Sequence, residues 1–569
     1  MSDPEIERRR AHLEATLGDW SPTALAQRYD ITAARHPDRP YVITDTATYS
    51  YRELQGWSRA LARGLYGLGV RAGDPVAMVI DNRPEFVAVK LAIARLGAVA
   101  VPINFAYRAA ELANVLNTCA AEVLVTIDTV IGVDHLASLD ELAPGWETGV
   151  HSERLPHLRQ VVLVSSARRP DALDLAGLTD RAHRTDEAVV RSLEDAVDPD
   201  SPCDIVFTSG TSGRPLGAEL THDMVLRSGY GSAYHRAFSD GWRIGFSLPM
   251  YHVFGYVEGM LAALYAGGAI APYPVFNPRT ILTAIGAHRL HEVLFVPTMS
   301  IAVVEEGTHR HYDTSSLESV FSAAAPAPAR LWHRIEEVLT PRQVFTGYGQ
   351  TEVSAATALT LPGDPLELVT ETVGRMKLGG SAALPGMDGA LAAYRTVDPF
   401  TGDLLSPGEE GELVARGPIV TRRYFGDAER TAALIDADGW LRTGDLGRVR
   451  PDGYLELSGR SGELFKVGGE LVAPKQVEQA LTAHPAVEQA YVAGVPDDRL
   501  GEVAWAWVVL GADQRVTEDG LIRHCRERLA AFKVPRRIVF SSADELPTTT
   551  TGKIQKYRLV NAAAGHASR

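Results

Sequence analysis

The stretch from Ile205 to Gly217 carries the strongest chemical signal in the sequence. It reads Ile-Val-Phe-Thr-Ser-Gly-Thr-Ser-Gly-Arg-Pro-Leu-Gly, an apolar run followed by a loop rich in glycine and hydroxyl side chains. Glycines let backbone N–H groups approach an anion closely, and hydroxyls add donors, so this composition suits a bound triphosphate. It is not a Walker loop, because no Gly-Lys-Ser/Thr ends it. A Gly/Ser linker is the alternative, but such linkers seldom follow an apolar strand directly. We therefore predict a strand that ends near Phe207 and a phosphate-binding loop after it.

Short apolar runs alternate with longer helical patterns over the first 380 residues. The runs predict strands at residues 76–80, 99–103, 123–127, 161–164, 293–296, 320–323 and 344–346. Apolar residues at helical spacing predict helices at residues 51–69, 86–96 and 110–116. Strands that alternate with helices form βαβ units and parallel sheets, whose ligands collect at the carboxyl ends of the strands. Residues 166–202, rich in Arg and Asp, are expected to form a surface segment.

The pattern changes near residue 390, where turn signals such as Asp438-Gly439 separate short strand patterns. This pattern of short strands separated by turns predicts an antiparallel β subdomain. The last part of the chain has helical and strand patterns at residues 474–481, 489–495, 503–509 and 518–529. The expected fold class is therefore α/β: a large N-terminal domain of βαβ-built sheets with a β subdomain, followed by a small α+β C-terminal domain.

Composition excludes several classes of protein. A chain of 569 residues is too long for one compact core, so two or more domains are expected. The net charge of −15, without a long basic run, argues against nucleic acid as a partner. Three widely spaced cysteines indicate a reducing compartment and no disulfide framework. The acidic N-terminus has no apolar run, and no stretch is long enough to span a membrane, so a cytoplasmic protein is expected.

Further motifs follow the phosphate loop in an order that resembles the adenylate-forming enzymes. This superfamily contains acyl-CoA synthetases, peptide-synthetase adenylation domains and firefly luciferase, and the chain is closest in appearance to acyl- or aryl-CoA ligases. The matching stretches are Thr208 to Gly217, Gly347 to Glu352, Trp440 to Asp445, Gly459 to Pro474, and Leu546 to Ile554. The resemblance covers nearly the whole chain and implies two domains, 1–462 and 463–569. The second is implied to be mobile, to carry a catalytic lysine and to swing about a pivot near Glu463.

The resemblance also implies ATP and Mg²⁺ as cofactors, with CoA as the expected co-substrate. Adenylation joins a carboxylate to the α-phosphate of ATP and expels pyrophosphate, so catalysis depends on charge neutralisation and positioning. The implied catalytic residues are Thr208, His252, Glu352 and Lys553. Glu352 is also the implied magnesium ligand, since Mg²⁺ prefers one or two carboxylates plus phosphate oxygens. The implied nucleotide- and thiol-binding residues are Ser209, Gly210, Thr211, Ser212, Gly213, Ala324, Ala325, Pro326, Gly347, Tyr348, Gly349, Gln350, Thr351, Asp445, Arg460, Lys466, Gly468 and Gly469.

The resemblance gives several of these residues a specific role. Tyr348 would lie against adenine, and Asp445 would accept hydrogen bonds from the ribose hydroxyls with help from Arg460. Lys553 would meet the reacting carboxylate and the α-phosphate. The stretch from Lys466 to Glu470 would face the active site when the thiol enters, and a plain hairpin turn is the alternative interpretation of its two glycines.

The organic substrate is expected near Pro249 to Gly255, where the resemblance makes His252 a gate. A histidine between apolar residues is otherwise more often packed in the core. Ser322 to Pro326 matches a segment shared by the substrate pocket and the adenine site. Many relatives carry glycines where Ala323 and Ala324 stand, and the added methyl groups predict a smaller or reshaped pocket.

Two lysines of the family pattern are absent. The phosphate loop ends Pro215-Leu216-Gly217 instead of Pro-Lys-Gly, and the hinge has Gly462-Glu463 instead of Lys-Asp. A charge-assisted phosphate contact is worth about 1.5–3 kcal/mol, so we predict a weakened hold on pyrophosphate rather than inactivity. Gly462 predicts a looser pivot.

The leading prediction is an acid–thiol ligase that adenylates a fatty or aromatic acid and transfers the acyl group to CoA. Transfer to a carrier protein is one alternative. A second is a diazotase-like enzyme that activates nitrite for an aromatic amine, as some relatives do. A third is a nucleotide-binding regulator with little turnover. The sequence leaves the oligomeric state open.

Overall fold

The computed structural model of the chain describes residues 3–208, 216–325, 327–497, 499–511, 513–548 and 554–567. Two mostly parallel sheets are built from the first 345 residues, and antiparallel sheets follow. The predicted α/β class, with a large N-terminal part and a small α+β C-terminal part, is confirmed.

The larger sheet has seven strands and forms one wall of the candidate site. Across the sheet the strands are Gln343–Phe345, Ser319–Ser322, Glu292–Phe295, Arg243–Phe246, Ala269–Pro272, Pro40–Ile43 and Thr48–Ser50. All neighbours are parallel except the final pair, which is a hairpin. Its central strands are buried along their whole length, as expected of a parallel sheet covered on both faces.

The second sheet has six strands and carries the phosphate loop. Its order is Leu216–Thr221, Pro202–Thr208, Val99–Pro102, Pro75–Val79, Val123–Thr126 and Gln160–Leu163. Only the first pair is antiparallel. A separate two-stranded ribbon joins Thr129–Val130 to Val133–Asp134.

Helices connect these strands, and the three that the periodicity predicts are present as Tyr51–Gly67, Pro84–Arg95 and Ala109–Cys119. Tyr51–Gly67 begins where the Ser50 hydroxyl accepts the Glu53 N–H, while the Glu53 carboxylate accepts the Ser50 N–H. The α-helices before residue 372 are Asp3–Leu17, Leu25–Arg35, Tyr51–Gly67, Pro84–Arg95, Ala109–Cys119, His135–Leu142, Leu175–Asp180, Glu187–Asp195, His222–His235, Ala262–Tyr265, Pro278–His288, Pro297–His309, Ala329–Leu339 and Leu366–Glu371. One π-helix, Phe254–Leu261, precedes Ala262–Tyr265.

Residues 166–202 lie largely at the surface, as expected, but they include buried positions that the composition did not indicate. The segment contains the helices Leu175–Asp180 and Glu187–Asp195, and Leu178 and Glu194 are buried. The Glu194 carboxylate pairs with the fully buried Arg95 guanidinium, which also pairs with Asp30. A charged residue in this segment is therefore buried, because an ion pair with Arg95 neutralises it.

Antiparallel structure begins after residue 346, earlier than the predicted change near residue 390. A three-stranded sheet has the order Gly347–Gln350, Ala355–Leu359 and Arg375–Met376, and a four-stranded sheet has the order Ala393–Val397, Gly411–Arg416, Leu441–Val449 and Leu455–Arg460. The short helix Ala428–Leu434 lies between the second and third strands of the latter.

The C-terminal part has its own hydrophobic cores, formed by side chains between residues 465 and 563. Its strands are Phe465–Val467, Glu470–Val472, Val487–Asp497, Gly501–Leu510 and Arg537–Phe540. Its α-helices are Pro474–Thr482, Glu518–Arg526 and Lys556–Ala567. Separate cores support a domain boundary near residues 462–463, which we keep as a proposal. None of the described helices is both long and apolar enough to cross a membrane.

Candidate active site

Several sequence motifs lie at the carboxyl ends of parallel strands. Thr208 ends its strand in the six-stranded sheet. In the seven-stranded sheet, Ala323 follows the strand Ser319–Ser322, and Gly347 comes two residues after the strand Gln343–Phe345. This is the edge where ligands of α/β folds bind, so the topology gathers motifs that are far apart in sequence.

The phosphate loop connects two antiparallel strands. Thr208 pairs with Leu216, and its hydroxyl donates to the Leu216 carbonyl oxygen at 3.4 Å. The chain therefore returns along the sheet edge and does not enter a helix, unlike a loop that presents phosphate to a helix N-terminus. The predicted residues Ser209, Gly210, Thr211, Ser212 and Gly213 lie outside the described residues.

Leu216 stands, half-buried, where the family pattern has lysine. Leu216→Lys is expected to raise kcat/KM for ATP about tenfold, because a charge-assisted contact to the phosphates adds about 1.5 kcal/mol. Leu404→Lys, at an exposed position in another sheet's loop, adds the same charge and is the control. Steady-state kinetics with varied ATP compares the two variants. An equal response would mean that only net charge matters.

Tyr348, Asp445 and Arg460 form one connected cluster. The buried Tyr348 hydroxyl donates to Asp445 Oδ2 at 2.7 Å, and Arg460 Nε lies 2.9 Å from Asp445 Oδ1. The Asp445 carboxylate raises the pKa of Arg460, so the guanidinium stays charged. Gln350 Nε2 donates to the Tyr348 hydroxyl and to the Thr443 carbonyl oxygen, both at 3.4 Å. The structure thus brings the predicted adenine and ribose residues together.

Gly349 is required by the hairpin that carries this cluster. A Cβ atom there would lie 1.8 Å from the Ala355 carbonyl oxygen of the paired strand. Any larger residue would push the strands apart and displace Tyr348. The glycine therefore serves backbone packing, a role that the motif alone did not indicate.

Glu352 lies in the 3₁₀ turn Thr351–Val353 and is largely buried. The Tyr424 hydroxyl donates to Glu352 Oε1 at 3.0 Å, a contact that the sequence did not predict. Ser354 and Ala355 both have positive φ, of 54° and 83°, directly after this turn. Two consecutive non-glycine residues in this region are strained, and such strain is typical of functional sites.

The donor chemistry at Glu352 fits Mg²⁺. No group of three or more His, Cys, Asp or Glu side chains able to hold a metal ion occurs among the described residues. A single hard carboxylate agrees with a cation that takes most of its other ligands from phosphate oxygens and water.

His252 is half-buried just before the π-helix Phe254–Leu261. Its Nδ1 accepts the Phe254 N–H at 3.2 Å, which fixes the ring at the helix entrance. The Phe254 ring packs edge-on against Phe321 with centroids 5.2 Å apart, next to Ala323. The predicted substrate segment and the Ala323 segment are therefore adjacent and apolar, and a π-helix often marks a functional site.

Four buried charged side chains form a network at this π-helix, which contributes one of them, and sequence reasoning did not find them. Lys377 Nζ donates to Glu258 Oε1 at 2.9 Å, and Arg236 bridges Glu258 at 3.3 Å and Glu292 at 2.6 Å. Glu258 Oε1 also accepts the Ala356 N–H at 3.1 Å, so the network joins the π-helix to the strand after Glu352. The signal that could have found this network was Glu258, a single carboxylate within an apolar run, because such a carboxylate is buried only when it is paired with a cation.

The predicted methyl-bearing segment has an unusual backbone. Ala324 has a φ of 74° and is exposed, and Ala325 is half-buried. Alanine in the left-handed region carries a steric cost of about 1–2 kcal/mol. Pro326 lies outside the described residues.

Ala324→Gly is expected to stabilise the protein by about 0.5–1 kcal/mol. Relief of the left-handed strain exceeds the extra entropy of glycine in the unfolded chain. Ala323→Gly is the matched control: it is buried and outside the left-handed region, so it is expected to destabilise. Chemical unfolding monitored by fluorescence measures both, and equal effects would refute the strain argument.

An ion pair joins the predicted hinge residue Glu463 to the helix that follows the predicted lysine loop. Lys556 Nζ lies 2.7 Å from Glu463 Oε2 and 2.8 Å from Glu478 Oε1. Thr548 forms a bridge with Ile554, which closes the base of the loop. Lys553 itself lies outside the described residues. Gly462 has no positive φ, so its conformation does not require glycine.

Lys466, Gly468 and Gly469 form a tight hairpin between the strands Phe465–Val467 and Glu470–Val472. Both glycines have positive φ, of 60° and 93°. The Gly468 N–H donates to the Leu500 carbonyl oxygen at 2.9 Å, and Lys466 is exposed. The hairpin geometry alone accounts for the glycines, and their role toward a thiol stays a prediction.

Comparison with known proteins defines the class. The model of the AMP-binding enzyme matches residues 29–425, and that of the AMP-binding enzyme C-terminal domain matches residues 476–553. The chain belongs to the AMP-binding enzyme family and is an AMP-forming ligase of the acid–thiol type that uses ATP and CoA.

Relatives of known description span almost the whole chain. A mitochondrial medium-chain acyl-CoA ligase of Danio rerio is 31% identical over 548 residues, covering 94% of this chain and 88% of that one. A 7a-methyl-1,5-dioxo-octahydro-1H-inden-4-yl propanoyl:CoA ligase of Mycobacterium tuberculosis is 34% identical over 523 residues, covering 92% and 96%. The crystal structure of the anthranilate CoA ligase AuaEII with anthranoyl-AMP has a TM-score of 0.81 and 25% identity, covering 97% and 99%.

Proposed function

We propose that this ligase activates an apolar carboxylic acid, either ring-bearing or of medium chain length, and transfers the acyl group to CoA. The carrying observation is the apolar contact between the Phe254 ring, two residues after His252, and the Phe321 ring, two residues before Ala323. Relatives that act on medium-chain, bicyclic and aromatic acids, as their names state, support this substrate class.

In the first half-reaction a carboxylate oxygen of the acid attacks the α-phosphorus of ATP. The bond to the bridging oxygen breaks, and pyrophosphate leaves with the electron pair. Thr208 and the loop to Gly213 would hold the phosphates, while the Tyr348–Asp445–Arg460 cluster would hold the nucleoside. Glu352 would hold Mg²⁺, which neutralises phosphate charge when bound. Lys553 would neutralise charge at the reacting oxygens.

In the second half-reaction the thiolate of CoA attacks the acyl carbonyl carbon, and AMP leaves. We propose that the domain 463–569 rotates about Glu463 between the two steps, which withdraws Lys553 and presents the hairpin of Lys466, Gly468 and Gly469. The separate cores on either side of Glu463 support this motion.

The experiment is pyrophosphate release from Mg·ATP across fatty acids, aryl acids, amino acids and nitrite, with and without CoA. A carboxylate that yields pyrophosphate and an acyl-CoA supports the proposal and identifies the acid. If the acyl product forms only when a carrier protein is present, the carrier protein and not CoA is the acceptor. Release only with nitrite and an aryl amine would support the diazotase-like alternative, and silence with retained ATP binding would support a regulator.

We also propose that the protein works in the cytoplasm. Cys119, Cys203 and Cys525 are buried and unpaired in disulfides, which is typical of a reducing compartment. Cell fractionation with a compartment marker tests this.

A further inference from the structure

A short segment, Thr421–Phe425, extends the sheet edge beside the phosphate loop. Tyr424 bridges to Ala218 in antiparallel fashion, and the Phe425 N–H donates to the Gly217 carbonyl oxygen at 2.8 Å. The Glu219 N–H donates to the Arg423 carbonyl oxygen at 3.3 Å. The segment thus runs along Leu216–Thr221, the strand through which the chain leaves the phosphate loop.

The segment Thr421–Phe425 also forms two hydrogen bonds with Glu352. The Thr421 N–H donates to the Glu352 carbonyl oxygen at 2.7 Å, and the Tyr424 hydroxyl donates to Glu352 Oε1 at 3.0 Å. Tyr424 is 4% exposed and Glu352 is 8% exposed, so both side chains are fixed by packing.

We propose that Tyr424 is a positioning residue that orients the Glu352 carboxylate for magnesium–ATP and couples it to the strand leaving the phosphate loop. This inference rests on the proposed function. A carboxylate can turn about its own bonds, and a hydrogen bond to one oxygen selects one orientation. Groups that orient a metal ligand in this way commonly contribute tenfold to a hundredfold to metal affinity.

The segment Thr421–Phe425 also links Glu352 physically to the strand that leaves the phosphate loop. Glu352 lies in the 3₁₀ turn Thr351–Val353 and Gly217 lies in the strand Leu216–Thr221, and the backbone of Thr421–Phe425 bonds to both. A displacement of the phosphate-loop exit therefore shifts Tyr424 and with it the Glu352 carboxylate. Because Leu216 adds no positive charge at the loop exit, Mg²⁺ held by Glu352 would neutralise more of the phosphate charge, so the orientation of the Glu352 carboxylate matters more.

The test is Tyr424→Phe in the full chain, because it removes the hydroxyl and keeps the buried ring. Binding of Mn²⁺ in the presence of α,β-methylene-ATP, followed by electron paramagnetic resonance, is expected to weaken about tenfold or more. The Mg²⁺ concentration for half-maximal pyrophosphate exchange is expected to rise by a similar factor.

Tyr454→Phe is the matched control. The Tyr454 hydroxyl donates to Asp364 Oδ1 at 2.6 Å, and Tyr454 is 7% exposed, so this variant removes a similar tyrosine–carboxylate bond. Its Mn²⁺ affinity should equal that of the unmodified protein, while its thermal stability should fall about as much as that of Tyr424→Phe.

The outcomes separate the inference from the proposed function. Unchanged Mn²⁺ affinity in Tyr424→Phe, or equal weakening in both variants, overturns the positioning role while the proposed function stands. If the unmodified protein binds no Mn²⁺ with the ATP analogue and shows no exchange with any acid, both are overturned.

Discussion

Lys553→Ala is expected to slow acid-dependent pyrophosphate exchange by about 10²–10³-fold. The lysine would place a cation where negative charge from the carboxylate and the α-phosphate meets, and removal of one such group typically costs this much. Thioester formation from CoA and a chemically prepared acyl adenylate is expected to stay within about threefold, because the rotated domain would remove Lys553 from that step. Rapid-quench assays of the two half-reactions measure the difference.

Lys533→Ala is the control for this variant. Lys533 belongs to the same C-terminal unit and donates to Gln476 Oε1 at 2.7 Å. Its loss tests whether removing any lysine from this unit slows adenylation. If Lys553→Ala slows both half-reactions equally, the proposed division of labour between domain orientations is refuted.

Lys377→Met is expected to destabilise the large domain by about 3–5 kcal/mol. Lys377 is fully buried, and its Nζ also donates to the Ser228 and Ser232 hydroxyls, each at 3.0 Å. Burial lowers the pKa of Lys377, whereas Glu258 has a pKa below its usual value because Lys377 and Arg236 outweigh its burial. Removal of Lys377 leaves two buried carboxylates facing the single Arg236 guanidinium, which is the costly case for a buried ion pair.

The double variant Glu258→Gln/Lys377→Met separates charge balance from packing. It leaves the Arg236–Glu292 pair neutral, and the glutamine oxygen can still accept the Ala356 N–H. We expect it to recover at least half of the lost stability, measured as the shift of the denaturant midpoint at constant m-value. Additive losses in the double variant would show that the charges act independently.

The sequence was sufficient for the overall fold because its patterns are local. The parallel strands at Pro75–Val79 and Glu292–Phe295 appear as apolar runs, and the helix Tyr51–Gly67 has both its amphipathic period and its capping box in the sequence. The nucleotide cluster was predicted from motifs, and the structure added the contact between Tyr348 and Asp445.

The parts that were missed depend on partners distant in sequence. Nothing near Tyr424 indicates that its hydroxyl reaches Glu352, because the two residues are 72 positions apart in the sequence. Lys377 comes directly after the short strand Arg375–Met376, and only the fold shows that its side chain is buried against Glu258. The buried Glu194 within residues 166–202 was missed for a related reason, since Arg95, which neutralises it, lies about a hundred residues earlier.

The edge of the seven-stranded sheet has a consequence for biosynthesis. The strand Pro40–Ile43 leaves the ribosome early, yet its parallel neighbour is Ala269–Pro272, with Val42 opposite Ile270. At about 5–20 residues per second, translation takes about 10–45 s to deliver that neighbour. The hairpin partner Thr48–Ser50 is made at once, but the backbone edge of Pro40–Ile43 that faces Ala269–Pro272 has no native partner during this interval. A nascent chain stopped before residue 269 would leave that strand edge open to aggregation, so chaperones that cover it during translation are expected to raise the yield of folded protein.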